Sequence, residues 1–128
     1  MRRAALLALV TILVAGCNGG TVDLHALSND SASIESLACE GALLANEVAD
    51  GDSLGPFTRV HAGELGTRAS NLEDALSERP TTPGIERATR KEAEKAGRIA
   101  ALLEELTTAD SQDAARLKSR LDSEGDCP

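Results

Sequence analysis

Apolar residues recur every three or four positions in four stretches of this chain, which follow an apolar N-terminal segment. That spacing places them along one side of an α-helix. β-branched and aromatic residues are sparse, and no stretch alternates apolar with polar residues as a half-buried strand does. The pattern predicts an all-α fold, namely a small antiparallel bundle of three long helices plus a short C-terminal helix.

The first predicted helix runs from about Ser31 to Ala49, and Asp50-Gly51 supplies a stop signal. Its apolar stripe consists of Ile34, Leu37, Ala38, Gly41, Leu44, Ala45 and Val48. Cys39 lies about 140° from Ile34 around the helix, on the same flank as Leu43. We therefore expect a C-terminal tail that crosses this flank to meet Cys39 and cover Leu43.

The second predicted helix runs from Phe57 to about Glu78, with Pro56 suited to its first turn. Its expected inner face carries Phe57, Val60, His61, Leu65, Leu72 and Leu76. Gly63 and Gly66 weaken an isolated helix by about 1 kcal/mol each relative to alanine. Such glycines mark either close helix contact or the approach of a ligand, and contact is the favoured interpretation.

The third predicted helix is capped by Thr82, starts with Pro83 and reaches about Thr107. Its stripe consists of Ile85, Ala88, Ala96, Ile99, Leu103 and Leu106, and Glu92 falls on the same side. Asp110-Ser111 caps the short fourth helix, whose stripe is Ala114, Leu117 and Leu121. Residues 122–128 then form a predicted polar tail.

The N-terminal segment has the features of a secretory signal. Arg2 and Arg3 are followed by an uncharged apolar run over residues 4–15. Val14-Ala15-Gly16-Cys17 then closes the segment with small residues and a cysteine. A charged head, a short apolar run and a small-residue exit are typical of a signal peptide. The run is shorter than the roughly 20 residues that a membrane-spanning helix needs.

Val14 to Cys17 resemble the lipobox of bacterial lipoproteins, in which a Leu-like residue and two small residues precede a lipidated cysteine. The resemblance covers residues 1–17 alone. It implies cleavage after Gly16, a diacylglyceryl thioether on Cys17 and a location on the extracytoplasmic face of a bacterial cell membrane. The implied organisation is a signal peptide over 1–16, a lipidated flexible tether over 17–30 and a helical domain over 31–128. The alternative is a plain signal peptide in which Cys17 is incidental.

The charge balance bears on possible partners. Loss of Arg2 and Arg3 takes the formal charge from −8 to −10. Nucleic acid is a poor partner for such a chain, because binding depends on Lys and Arg at the phosphates. Attraction to anionic lipids is equally unfavourable for the chain as a whole, so we expect the acyl chains to supply the link to the membrane.

Lipidation of Cys17 leaves Cys39 and Cys127, an even pair in an exported protein. They are expected to form a disulfide, and the alternative is two free thiols. A closed loop of this length stabilises a fold by about 4–5 kcal/mol in the chain-entropy estimate. This is a large share of the total stability expected for a chain whose core can draw on one Phe and no Trp or Tyr.

His61, Glu64 and Arg68 lie on one flank of the second helix by spacing and form the sharpest candidate binding site. The alternative is a histidine at the core edge beside a surface ion pair. His61 lies in HAGEL, which lacks the second histidine of a zinc protease, and the chain has no GxSxG elbow or CxxC pair. No cofactor, metal or catalytic residue is therefore predicted.

The expected function is that of an anchored helical module with a binding or structural role, and an envelope protein is a possible partner. One alternative is a small envelope enzyme that uses His61 with Glu64 and Arg68. The other is an inhibitor or stress protein that binds another protein through an exposed apolar patch.

Overall fold

A computed structural model describes residues 20–52 and 55–128 of the chain. These residues form four helices: α1 (Leu24–Ala49), α2 (Gly55–Glu78), α3 (Glu86–Leu106) and α4 (Ser111–Gly125). The described part contains no strand, only an isolated parallel bridge between Val22 and Thr81. The all-helical prediction is confirmed. None of the helices in this part is both long and apolar enough to cross a bilayer, and the lipobox with Cys17 lies outside the described residues.

The helices bury a core of leucine, isoleucine and alanine. The α2 helix packs mainly against α3, and α1 mainly against α4. The predicted stripes of α1 and α4 are confirmed, apart from Val48, which is half-buried. The largest fully buried side chains are Val22, Ile34, Leu65, Ile99, Leu103, Leu106, Leu117 and Leu121. Eight of the 21 core residues in the described part are alanines, which let the helices approach closely around the larger leucine and isoleucine side chains.

The α1 helix begins at Leu24 rather than at Ser31, so the predicted start was wrong. Asp23 provides the cap: its Oδ1 accepts a hydrogen bond from Ala26 N at 2.8 Å. The additional turns bury Leu27, which is 8% exposed. The predicted boundary between tether and domain at residue 30 consequently falls inside α1.

The residues before α1 are bound to the connection between α2 and α3. Val22 N donates to Pro80 O at 2.7 Å, and Thr82 N donates to Val22 O at 2.9 Å. Arg79 Nε donates to Gly20 O at 3.0 Å. The Val22 side chain is completely buried. The domain therefore includes residues that the sequence assigns to a flexible tether.

The α3 helix begins at Glu86, and the predicted cap and first turn at Thr82 and Pro83 were wrong. Thr82 uses its backbone N–H in the bridge to Val22. Gly84 has a φ of +100°, a left-handed conformation that stops a helix from running through it. Within α3, Thr89 is buried and Ala88 is exposed, in contrast to the predicted stripe. The Thr89 hydroxyl is satisfied by Ile85 O at 3.0 Å.

The α4 helix extends to Gly125, beyond the predicted start of the tail at residue 122. Asp126 then adopts a left-handed conformation with φ of 49°, and Cys127 is bonded to Cys39. The tail meets α1 at the expected cysteine. It does not cover Leu43, which is 71% exposed, so that expectation was wrong.

The two ends of the bundle are built from different connections. At the Val22 end, defined as residues 20–24, 76–82 and 86–90, the start of α1 lies beside the connection from α2 to α3. At the Val48 end, defined as residues 47–52, 55–59 and 104–113, a shallow cavity joins Val48 to the start of α2 and to the connection from α3 to α4. The cavity is lined by Val48, Gly55, Thr58, Arg59, Leu106, Thr107, Thr108 and Ala109.

Candidate functional site

His61 lies at the surface between α1 and α2 and faces two carboxylates. Its Nε2 is 3.1 Å from Glu40 Oε1, a hydrogen bond between the two helices. Its Nδ1 is 3.9 Å from Glu64 Oε2, one turn further along α2. The His61 side chain is 32% exposed, so solvent reaches this group. The pair with Glu40 therefore links the two helices at a partly hydrated position.

Two apolar side chains of α2 flank this pair on the outside. Phe57 and Val60 are 58% and 63% exposed, so their predicted place on the inner face was wrong. The Phe57 ring stacks on the imidazole of His61, with ring centroids 5.6 Å apart and planes inclined by 16°. The α2 helix is rotated so that smaller side chains such as Ala62 and Ala69 face the core. The bulkier Phe57 and Val60 therefore face outwards.

A shallow groove runs beside this apolar pair. It is lined by Val60, Gly63, Glu64, Thr67, Arg68 and Glu104. Glu64 and Arg68 thus lie in one groove with Glu104 of α3, as the spacing of Glu64 and Arg68 on one helix flank suggests.

Glu92 lies far from this groove, because it precedes Glu104 by twelve positions in α3, about 18 Å along a helix axis. Glu92 is not among the groove residues, and its Oε2 is buried without a hydrogen-bond partner in the described part of the chain.

The two glycines of α2 differ in their surroundings. A Cβ on Gly66 would lie 3.6 Å from Leu103 Cβ, an ordinary van der Waals contact with α3. A Cβ on Gly63 would meet nothing within 4 Å. Close helix contact therefore accounts for Gly66 alone. Gly63 lines the open groove, where the absence of a side chain leaves room beside Val60 and Glu64.

The site combines an exposed apolar pair with charged side chains. Both nitrogens of His61 face carboxylates, which hold the ring between α1 and α2. The apolar surface of Phe57 and Val60 lies beside the charges of Glu64 and Arg68. Among the described residues, no group of three or more His, Cys, Asp or Glu side chains is arranged to hold a metal ion.

Sequence reasoning missed Glu40, the nearest partner of His61. Within the pattern of α1, Glu40 is one of several acidic residues outside the apolar stripe. Its contact depends on how far α1 and α2 are shifted along each other. The available signal is a carboxylate on one helix that can pair with a histidine on another. It identifies the partner only when the register of the two helices is known.

A bidentate ion pair lies away from this surface and joins α3 to α4. Arg98 Nε and Nη2 donate to the two oxygens of Glu124 at 2.8 and 3.1 Å. These hydrogen bonds lower the pKa of Glu124. Lys95 also bridges helices, with its Nζ 3.4 Å from Glu35 Oε1 of α1. The ion pairs therefore help to fix α3 against α1 and α4.

Comparisons with protein-family models, curated proteins and solved structures found no match to this chain.

Proposed function

We propose that this protein is a membrane-anchored extracytoplasmic lipoprotein whose helical domain has a binding or accessory role. The anchor is a lipid on Cys17, and the domain is presented on the outer face of a bacterial cell membrane. The single observation that carries the proposal is the Cys39–Cys127 disulfide downstream of the Val14–Cys17 pattern.

The two features support each other because they are chemically independent. The pattern of residues 14–17 concerns processing and acylation of an exported chain. The disulfide concerns the compartment of the mature domain, since such bonds persist mainly in oxidising environments outside the cytoplasm. Export past the membrane accounts for both.

We further propose that the four helices form an antiparallel bundle in which the fourth is short. The helices contain 26, 24, 21 and 15 residues. Contacts between α1 and α2 support opposite directions, because Arg79 near the end of α2 lies 3.7 Å from Asp30 near the start of α1. The His61–Glu40 contact lies further along α1 and earlier in α2, as that arrangement requires.

The binding surface in this proposal is formed by Phe57, Val60, His61, Glu64 and Arg68. Two large apolar side chains that are more than half exposed lie one turn apart on α2. In a protein–protein interface an aromatic residue next to an aliphatic one provides an apolar centre, and charged residues form the rim. The partner that fits this chemistry is an envelope protein with an apolar patch.

Replacement of the anchor residue tests the localisation. Cys17→Ser is expected to yield unprocessed precursor or protein released from the membrane fraction, because the thioether requires a thiol. Intact-mass analysis of the wild-type protein is expected to show a diacylglyceryl adduct and loss of residues 1–16. Unchanged membrane partition of the variant together with an unmodified wild-type mass would refute the proposal.

Site-specific photo-crosslinking tests the binding surface. A photoreactive residue at Val60 is expected to give a discrete adduct in intact cells. The same residue at Asn71, an exposed position of the same helix, serves as the matched control. Phe57→Ser is expected to weaken the Val60 adduct. Equal adducts at both positions, or none at Val60, argue against a partner on this surface.

A further inference from the structure

We infer that the Val22 end of the bundle rests against phospholipid headgroups and that the Val48 end is directed away from the bilayer. This inference depends on the proposed lipidation of Cys17. It adds an orientation and a specific membrane-contacting surface, formed by residues around Leu24, Arg87 and Arg90.

The chain is fixed to the domain very close to the anchor residue. Gly20 O accepts a hydrogen bond from Arg79 Nε at 3.0 Å. Two residues later, Val22 is completely buried and is held by two backbone hydrogen bonds to Pro80 and Thr82. The domain therefore starts three residues after Cys17, at a defined position on the Val22 end.

The connection from Cys17 to the domain has a short reach. Cys17 and Gly20 are three peptide steps apart, so their Cα atoms are separated by at most about 11 Å. The 26 residues of α1 extend about 39 Å from the Val22 end towards the Val48 end. The connection is too short to let the Val48 end contact the bilayer while the Val22 end is lifted away from it.

Charge is distributed unequally between the two ends of the bundle. On the first two turns of α3, Arg87, Arg90 and Lys91 are exposed at or next to the Val22 end. Within that end, Asp23, Glu78 and Glu86 offset Arg79, Arg87 and Arg90, so its formal charges balance before Lys91 is counted. The Val48 end carries the acidic residues Glu47, Asp50, Asp52, Glu104, Glu105, Asp110 and Asp113, with Arg59 as a counter-charge. Anionic lipids attract cations and repel carboxylates near the surface. The net charge of the chain conceals this polarity, which favours an upright orientation over one in which the bundle lies flat.

An exposed apolar side chain at the same end completes the surface. Leu24, the first residue of α1, is 71% exposed. An apolar side chain gains free energy when it leaves water for the boundary between headgroups and acyl chains. Leu24 is thus suited to enter that boundary next to the anchor.

The orientation has a consequence for the proposed binding surface. Phe57 precedes Glu78, at the Val22 end of α2, by 21 positions, which is about 32 Å along the helix. Phe57 and Val60 are therefore held well above the headgroups. In that position they are available to a partner in the extracytoplasmic space.

Tryptophan fluorescence tests the orientation, because the chain has no natural Trp or Tyr. Three single variants each place a Trp probe at an exposed position. Leu24→Trp on α1 and Ala88→Trp on α3 lie at the Val22 end, and Phe57→Trp on α2 lies at the Val48 end. Each acylated protein is reconstituted into phosphatidylcholine–phosphatidylglycerol vesicles with brominated lipid. We expect loss of emission for Leu24→Trp and Ala88→Trp and little change for Phe57→Trp.

The Ala88 probe and the Cys17→Ser forms serve as controls for the orientation. The Ala88 probe separates orientation from insertion of the residue at position 24 alone. Cys17→Ser forms of the three variants are expected to show no quenching. Equal quenching at positions 24, 88 and 57 would show a bundle lying flat, and stronger quenching at 57 would show the reverse orientation; either result overturns the inference.

Intact mass separates this test from that of the proposed function. Absence of an acyl group from the purified protein refutes lipidation in cells. In that event, coupling of the Cys17 thiol to a maleimide lipid in the chain that begins at residue 17 keeps the orientation testable. Quenching at positions 24 and 88 but not 57 in the coupled protein is then the expected result, and uniform quenching the contradicting one.

Discussion

Cys39, in the middle of α1, is bonded to Cys127 near the end of the chain, and the bond closes a loop across a sequence separation of 88 residues. Gly125 makes the approach possible, because a Cβ at this position would lie 2.7 Å from each of the two sulfur atoms. The end of α4 thus lies directly against α1, and the bond fixes that contact.

Reduction of the disulfide is expected to lower the melting temperature markedly. The loss is up to about 4–5 kcal/mol in the chain-entropy estimate for a loop of this length, and native-state strain reduces it. Calorimetry with and without a reductant measures the effect. The variant with Cys39→Ala and Cys127→Ala should melt at the lower temperature and should not respond to reductant. An unchanged melting temperature of the wild-type protein on full reduction would contradict the expectation.

Two glycine substitutions are expected to change stability in opposite directions. A Cβ on Gly41 would lie 2.5 Å from Leu103 Cδ2 and 3.4 Å from Leu121 Cδ1, and both leucines are completely buried. Gly41→Ala should therefore cost about 1–3 kcal/mol by overpacking. Gly63→Ala meets no neighbour and should stabilise α2 by about 1 kcal/mol through helix propensity.

Denaturant unfolding of the two variants provides this comparison, since each adds a single methyl group to a helix. Destabilisation by Gly63→Ala would show that the groove beside Val60 is more crowded than the structure indicates. A neutral Gly41→Ala would show that the Leu103 side chain moves aside without loss of stability.

The Arg98–Glu124 pair is expected to make stability depend on pH. The hydrogen bonds from Arg98 lower the pKa of Glu124 in the folded protein. A lowered folded pKa means that the contribution is present above the ordinary pKa of 4.5 and is lost as the pH falls through the lowered value. Glu124→Gln should therefore cost about 0.5–1 kcal/mol at pH 7, since one partner is half exposed, and nothing at strongly acidic pH.

Thermal unfolding of Glu124→Gln and wild-type protein over a pH series measures this difference. Glu47→Gln, a change of an exposed carboxylate on α1, is the control for the general effect of removing one negative charge. A difference between wild type and Glu124→Gln that stays constant down to strongly acidic pH would contradict the assigned role of the pair.

The helical fold class and the inner faces of α1 and α4 follow from the order of amino acids alone. The stripe that includes Ile34 and Leu44 and the stripe of Leu117 and Leu121 are buried as predicted. The cap at Asp110 was also predictable, and its Oδ1 accepts from Asp113 N at 2.9 Å. These features depend on neighbours within about one helical turn, and the period of 3.6 residues carries that information.

The contacts between elements distant in the chain are fixed only when the helices pack against one another. The burial of Val22 depends on the backbone of Pro80 and Thr82. The outward direction of Phe57 depends on which face of α2 the neighbouring helices cover. The partner of His61 depends on the register of α1 and α2. Spacing along one helix contains no information on how two helices are rotated and shifted relative to each other, because close packing of both surfaces selects that arrangement.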